Sequence, residues 1–145
     1  MILYLDTSSL VKLYVDEPGS REVRRLVDTA ELVSSSVVAY AEARAALARR
    51  RRESSLTPSG HRRAKAALDA DWPHVLTIEV SEPLSRRAGD LAERRRLRGF
   101  DAVHLASFLS IAEEFPSDEV RFSTADKVLR RAAGGVHPAA RRRRR

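Results

Sequence analysis

The sequence predicts an α/β fold, a mostly parallel sheet with helices on both faces. Two observations predict it. Ile2 to Leu5 is an unbroken apolar run that stops at Asp6, as a strand buried on both faces of a parallel sheet does. Short apolar runs then alternate with helix-period stretches along the chain, with no internal repeat and no long linker. A chain of 145 residues suits one domain and can bury a core without staples. The expected division is a domain over residues 1–138 and a basic, disordered tail over 139–145.

The elements follow in order. After the first strand, Leu10, Leu13 and Tyr14 recur at helical spacing, predicting a helix from Ser8 to Val15. Asp16-Glu17-Pro18-Gly19 breaks it. Ser20 then caps a second helix whose apolar face is Val23, Leu26 and Val27. Glu31 to Ser34 reads as a strand. Ser34, Ser35 and Ser36 read as N-caps for a long helix from Val37 to Arg52. Thr57-Pro58 opens a helix to Asp71, with Pro at the first position. Val75 to Val80 is a β-branched strand, and Glu82-Pro83 opens a helix to Leu97. The next helix, Phe100 to Glu114, is apolar nearly all round and is expected in the middle of the fold. Val120 to Ser123 is a fourth strand and Asp126 to Ala133 a short helix. Gly134-Gly135 ends it, and Val136 opens a weak edge strand.

Composition narrows the function. Cys is absent, which excludes a disulfide framework, a thiolate metal site and a Cys nucleophile, and suits a reducing, cytoplasmic setting. The N-terminal apolar run is too short for a signal peptide or a membrane span. The net charge is +7, but Arg141 to Arg145 supply five of the positives, leaving 22 basic against 20 acidic residues. Basic clusters remain at Arg49–Arg52, at Arg62-Arg63 with Lys65, and at Arg94–Arg96 with Arg98. They suit phosphate contacts, and equally a solvated helix face.

Four carboxylates stand out by context. Asp6 ends the first strand, where an open α/β sheet presents ligand-binding groups. It could merely cap the following helix, but Thr7, Ser8 and Ser9 could do so without burying a charge. Glu42 has Val38, Ala45 and Ala46 one turn away, which places it on the inward stripe of the long helix. A carboxylate there needs a partner or a metal, and Arg44 and Arg49 do not share its face. Asp101 begins the buried helix, and Asp126 follows the last strand. Each of these two also has a capping reading. Clustered carboxylates without Cys or a spaced His pair select Mg²⁺ or Mn²⁺. Two such ions about 4 Å apart stabilise both oxygens of an in-line phosphoryl displacement. With no Ser–His–Asp or Cys–His arrangement visible, the residues read as a metal-dependent phosphodiester hydrolase.

The chain also resembles a known family. The stretches Ile2-Leu3-Tyr4-Leu5-Asp6-Thr7-Ser8-Ser9, Ser36 to Glu42, Leu97 to Ala106 and Phe122-Ser123-Thr124-Ala125-Asp126 stand in the order found in PIN-domain ribonucleases, and among them the VapC-like toxins. The resemblance implies a three-layer α/β/α sandwich with a mostly parallel sheet of four to five strands. It implies that Asp6, Glu42, Asp101 and Asp126 form the acidic metal site, lined by Ser8 and Thr124. It implies an Mg²⁺-dependent endoribonuclease that is a homodimer and is held inactive by a small cognate antitoxin. Arg49, Arg50, Arg95 and Arg98 are then candidates for holding the RNA backbone. His104, on an apolar helix, is read as a core or capping residue and not as catalytic.

Two other readings compete. One is a non-catalytic module that binds RNA or a protein through the same fold. The other is a one-metal phosphatase, which would want a second Asp two residues after Asp6, where Ser8 stands.

Overall fold

A computed structural model of the protein describes residues 1–134. The readings for Gly135, for the strand at Val136 and for the tail lie outside the described residues. Four strands, β1 (Ile2–Leu5), β2 (Leu32–Ser36), β3 (Leu76–Ile78) and β4 (Val120–Ser123), form one sheet in the order β3-β2-β1-β4. All three pairings are parallel, with Tyr4 opposite Ser34 and Phe122 in the two strands that flank β1. Between strands the chain crosses over through α1 (Thr7–Val11), α2 (Ser20–Thr29), α3 (Val38–Arg52), α4 (Pro58–Asp71), α5 (Glu82–Arg95) and α6 (Gly99–Ala112). The last described element is α7 (Lys127–Gly134).

The alternation of side chains along β1 divides the core into two layers. Leu3 and Leu5 pack with Leu10 and Val11 of α1, Val23 of α2, Leu47 of α3 and Leu68 of α4. Tyr4 points the other way, into Leu105, Phe108 and Leu109 of α6 and Leu129 of α7. The result is a three-layer α/β/α sandwich with β1 at its centre.

Several boundaries differ from the sequence reading for physical reasons. α1 ends at Val11, and Leu13 and Tyr14 continue only as short turns that bond to Leu10 and Val11. Ser34, Ser35 and Ser36 do not occupy the N-cap of α3, which is Val37, though Ser36 Oγ accepts the Val38 amide at 3.4 Å. All three lie inside β2 and are fully buried, and Ser35 donates its hydroxyl to the Leu5 carbonyl at 2.7 Å. Ser34, opposite Tyr4, faces the α6 side of the sheet, where α6 touches β2. β3 is shorter than the stretch Val75 to Val80. The helix α6 is buried along most of its length, but Phe100 in its first turn is 59% exposed.

The turn between α1 and α2 is pinned to α3. Glu17 accepts Lys12 Nζ at 3.0 Å and Arg50 Nη2 at 2.8 Å, and the chain turns there through Gly19 at φ +91. That conformation suits glycine. Burial pushes the Glu17 carboxyl up, but the hydrogen bonds and charges of Arg50 and Lys12 outweigh it and hold it below its ordinary value. A depressed carboxylate stabilises above its unfolded range, and that contribution is lost as pH falls through the folded value. Glu17→Gln should therefore cost about 1 kcal/mol near neutral pH. Denaturant melts should show the gap from wild type closing as the pH falls through the carboxylate range.

Candidate active site

The carboxyl ends of β1 and β4 lie side by side, so Asp6 and Thr124 meet although 118 residues separate them. Asp6 is 4% exposed. Its Oδ1 accepts the Ser8 hydroxyl at 2.7 Å and the Ser9 amide at 2.9 Å, and its Oδ2 accepts the Thr124 hydroxyl. It is thus the N-cap of α1 as well as a wall of the cleft, so the capping and site readings coexist. Burial pushes its carboxyl above the ordinary value, and the hydrogen bonds from Thr124, Ser8 and Ser9 offset only part of that. Ser8 and Thr124 each serve a second partner: Ala125 donates its amide to Ser8 Oγ, and Asp126 donates its amide to Thr124 Oγ1. The turn after β4 is therefore stitched to the turn after β1.

Glu42 reaches the same cleft from α3. Its Oε1 accepts the Thr7 hydroxyl at 2.7 Å and His104 Nε2 at 2.9 Å. Burial would raise this carboxyl, yet those hydrogen bonds and the charges of His104 and Arg98 hold it below its ordinary value. His104 is 2% exposed, and its Nδ1 lies 2.9 Å from the Tyr4 hydroxyl. Burial keeps that phenol protonated, far above its usual range. Tyr4 can therefore donate to Nδ1 while Nε2–H donates to Glu42, which fixes the tautomer. His104, nearly fully buried yet part of the cleft's lining, orients Glu42 through this hydrogen bond. Its place three residues after Asp101 on α6 was the available signal. Thr7 was hidden among the hydroxyls next to Asp6.

Asp101 lies in the first turn of α6 and accepts Arg98 Nε at 2.9 Å. Asp126 caps α7 by accepting the Leu129 amide at 2.9 Å, and Arg98 Nη2 stands 3.7 Å away. Asp6, Glu42, Asp101 and Asp126 all line one cleft of about 490 Å³, with Ser8, Arg49, Arg52 and Arg98. The basic candidates divide. Arg49 and Arg98 line the cleft. Arg50 is turned away and held by Glu17. Arg95 lines a separate hollow with Arg94, Arg96 and Arg131. One helical position, about 100°, separates Arg49 from Arg50.

The donor set suits a hard divalent cation, being carboxylate and hydroxyl oxygens around an open, polar space. No three His, Asp or Glu side chains among the described residues are gathered tightly enough to enclose an ion by themselves. Asp6 is met by three donors, and Arg98 spans Asp101 and Asp126. Mg²⁺ needs only one or two protein carboxylates, with water and substrate oxygens completing its shell. The residues fit such an ion in that sense.

The PIN domain family model matches residues 3–135, a span that holds all four acids. The chain belongs to the PIN domain family, among its VapC-like members. Ribonuclease VapC45 of Mycobacterium tuberculosis (strain CDC 1551 / Oshkosh) is 38% identical over 112 residues, 77% of this chain and 78% of that protein. Ribonuclease VapC46 of Mycobacterium tuberculosis (strain ATCC 25618 / H37Rv) is 37% identical over 131 residues, 90% of this chain and 89% of that one. In fold, the chain is similar to the crystal structure of Mycobacterium tuberculosis VapC20, a sarcin-ricin loop cleaving toxin. The TM-score is 0.67 at 21% identity, over 90% of this chain and 94% of that one. No helix of the described residues is long and apolar enough to cross a membrane.

Two outcomes follow from this PIN-domain cleft. Among the described residues no Lys or Arg forms an ion pair with Asp6, so its buried charge opposes folding. Asp6→Asn should raise the melting temperature in EDTA by a few degrees, read by calorimetry. His104→Phe should lower stability by about 1–3 kcal/mol, since Glu42 loses a charged hydrogen bond and Tyr4 a partner. Urea unfolding measures it.

Proposed function

We propose that the protein is a divalent-metal-dependent endoribonuclease, the toxin of a toxin–antitoxin pair, acting in the cytoplasm as a homodimer and held in check by a small antitoxin protein. The observation that carries the reading is the convergence of four carboxylates, from four separate stretches of chain, on one cleft at the carboxyl edge of the sheet. Relatives named ribonucleases, at 37–38% identity, support RNA as the substrate.

Asp6, Glu42, Asp101 and Asp126 would hold Mg²⁺ or Mn²⁺. When bound, such an ion supplies Lewis acidity toward a phosphate oxygen and lowers the pKa of water. The chain's own residues do the positioning. Ser8 and Thr124 hold both oxygens of Asp6, so its carboxylate has one orientation. Thr7 and His104 do the same for Glu42. Arg49 and Arg52, at the rim beside Glu42, are placed to hold a phosphodiester backbone. Among the described residues the one hydroxyl near an imidazole in the cleft is Thr7 Oγ1, 3.1 Å from His104 Nε2; both donate to Glu42 rather than act as nucleophile and base, so the attacking group is water.

Purified protein free of antitoxin should cleave RNA with Mg²⁺ or Mn²⁺ and lose that activity in EDTA. Asp6→Asn should reduce cleavage by at least about a hundredfold while remaining folded. Wild-type rates from the folded, metal-saturated variant would refute the assignment. RNA binding without cleavage under either metal would favour a non-catalytic PIN module.

A further inference from the structure

The acid cleft contains a cation from its own chain. Arg98 stands at the N-cap of α6 in extended backbone, with no side-chain capping bond. Its Nε donates to Asp101 Oδ2 at 2.9 Å, and its Nη2 lies 3.7 Å from Asp126 Oδ2. Glu42 feels the same charge, since Arg98 helps to draw its carboxyl down. Among the described residues no other Lys or Arg forms an ion pair with any of the four acids. The Arg98 side chain is 82% exposed, so charge rather than packing holds it over the cleft.

We propose that Arg98 is an internal counter-ion: it competes with the divalent cation for Asp101 and Asp126, and is released toward substrate phosphate when the cation enters. The inference rests on the metal-nuclease reading above and adds a regulation to it. Two cations on neighbouring oxygens of one acid pair repel each other, so an ion arriving at Asp101 and Asp126 has to displace the guanidinium. The displaced fork of donors matches a phosphate, which it can bind with two hydrogen bonds. An RNA phosphate that captures Arg98 therefore frees the acids for metal, and metal that takes the acids frees Arg98 for RNA. By linkage the two ligands strengthen each other. Without either ligand, the guanidinium offsets the mutual repulsion of the acids and keeps the cleft closed to stray cations.

The test is Mn²⁺ binding by titration calorimetry at fixed ionic strength, with no RNA present. Arg98→Gln should bind Mn²⁺ about three- to tenfold more tightly than wild type, the range set by losing two exposed ion pairs. Arg98→Ala should give the same shift. Arg94→Gln, which removes an equal charge from the hollow beside α7, should stay within about twofold of wild type. Asp101→Asn should weaken binding. Equal or weaker affinity in both Arg98 variants, with wild-type binding intact and Asp101→Asn impaired, would overturn the counter-ion and leave the nuclease reading standing. An equal gain in Arg94→Gln would also overturn it, because net charge alone would then explain the effect. Absence of Mn²⁺ binding in wild type and both Arg98 variants would overturn both readings. Binding in the Arg98 variants alone would support the counter-ion most strongly.

Discussion

The contact on which the site depends is the grip of Thr124 and Ser8 on the Asp6 carboxylate. A carboxylate left 4% exposed is tolerable only when its lone pairs are met. Asp6 meets that demand with hydroxyls and a backbone amide, all neutral donors, and so keeps its negative charge uncancelled at the end of the central strand. The same two hydroxyls receive amides from the turn after β4. One small network thus closes the sheet's carboxyl edge, caps α1 and aims an acid into the cleft.

The other acids are managed differently, and the differences are informative. Glu42 is steadied by Thr7 and by the buried pair Tyr4 and His104. Tyr4 and His104 come to it from the α6 side of the sheet, Thr7 from α1. Asp101 and Asp126 are steadied by an exposed cation, Arg98. The fully neutral support sits deepest and the exchangeable support sits outermost. A site built this way keeps its floor rigid and leaves its mouth adjustable.

Much of this was legible in the chain. The apolar run that stops at Asp6 marks the central strand and its acid together, because a two-faced buried strand tolerates no charge until it ends. Glu42 was only partly legible: the buried stripe of α3 is Ala39, Ala43 and Leu47, while Ala45 is exposed, so the small residues around Glu42 border the cleft and not the core. The serines of β2 were not legible, because Ser34 to Ser36 carry cap chemistry, and their burial within a strand shows only in the fold. His104 and Thr7 were illegible as supports because their meaning lies in contacts 62 and 35 residues away. Arg49 and Arg50 look alike in sequence, yet adjacent helix positions send one to the cleft and the other to Glu17. Local pattern shows which face a residue takes only when apolar neighbours mark that face, and a run of arginines has no such mark.

The strand order β3-β2-β1-β4 has a consequence in time. The last strand of the described chain pairs with the first, and Thr124 and Asp126 arrive with it. Long-range pairing of this kind forms late, after the local crossovers. During synthesis, which proceeds from the N-terminus, Asp6, Glu42 and Asp101 emerge before the strand that completes their cleft. A protein that attacks RNA would be made beside ribosomal and messenger RNA, and this topology withholds the finished site until synthesis of the domain is almost over.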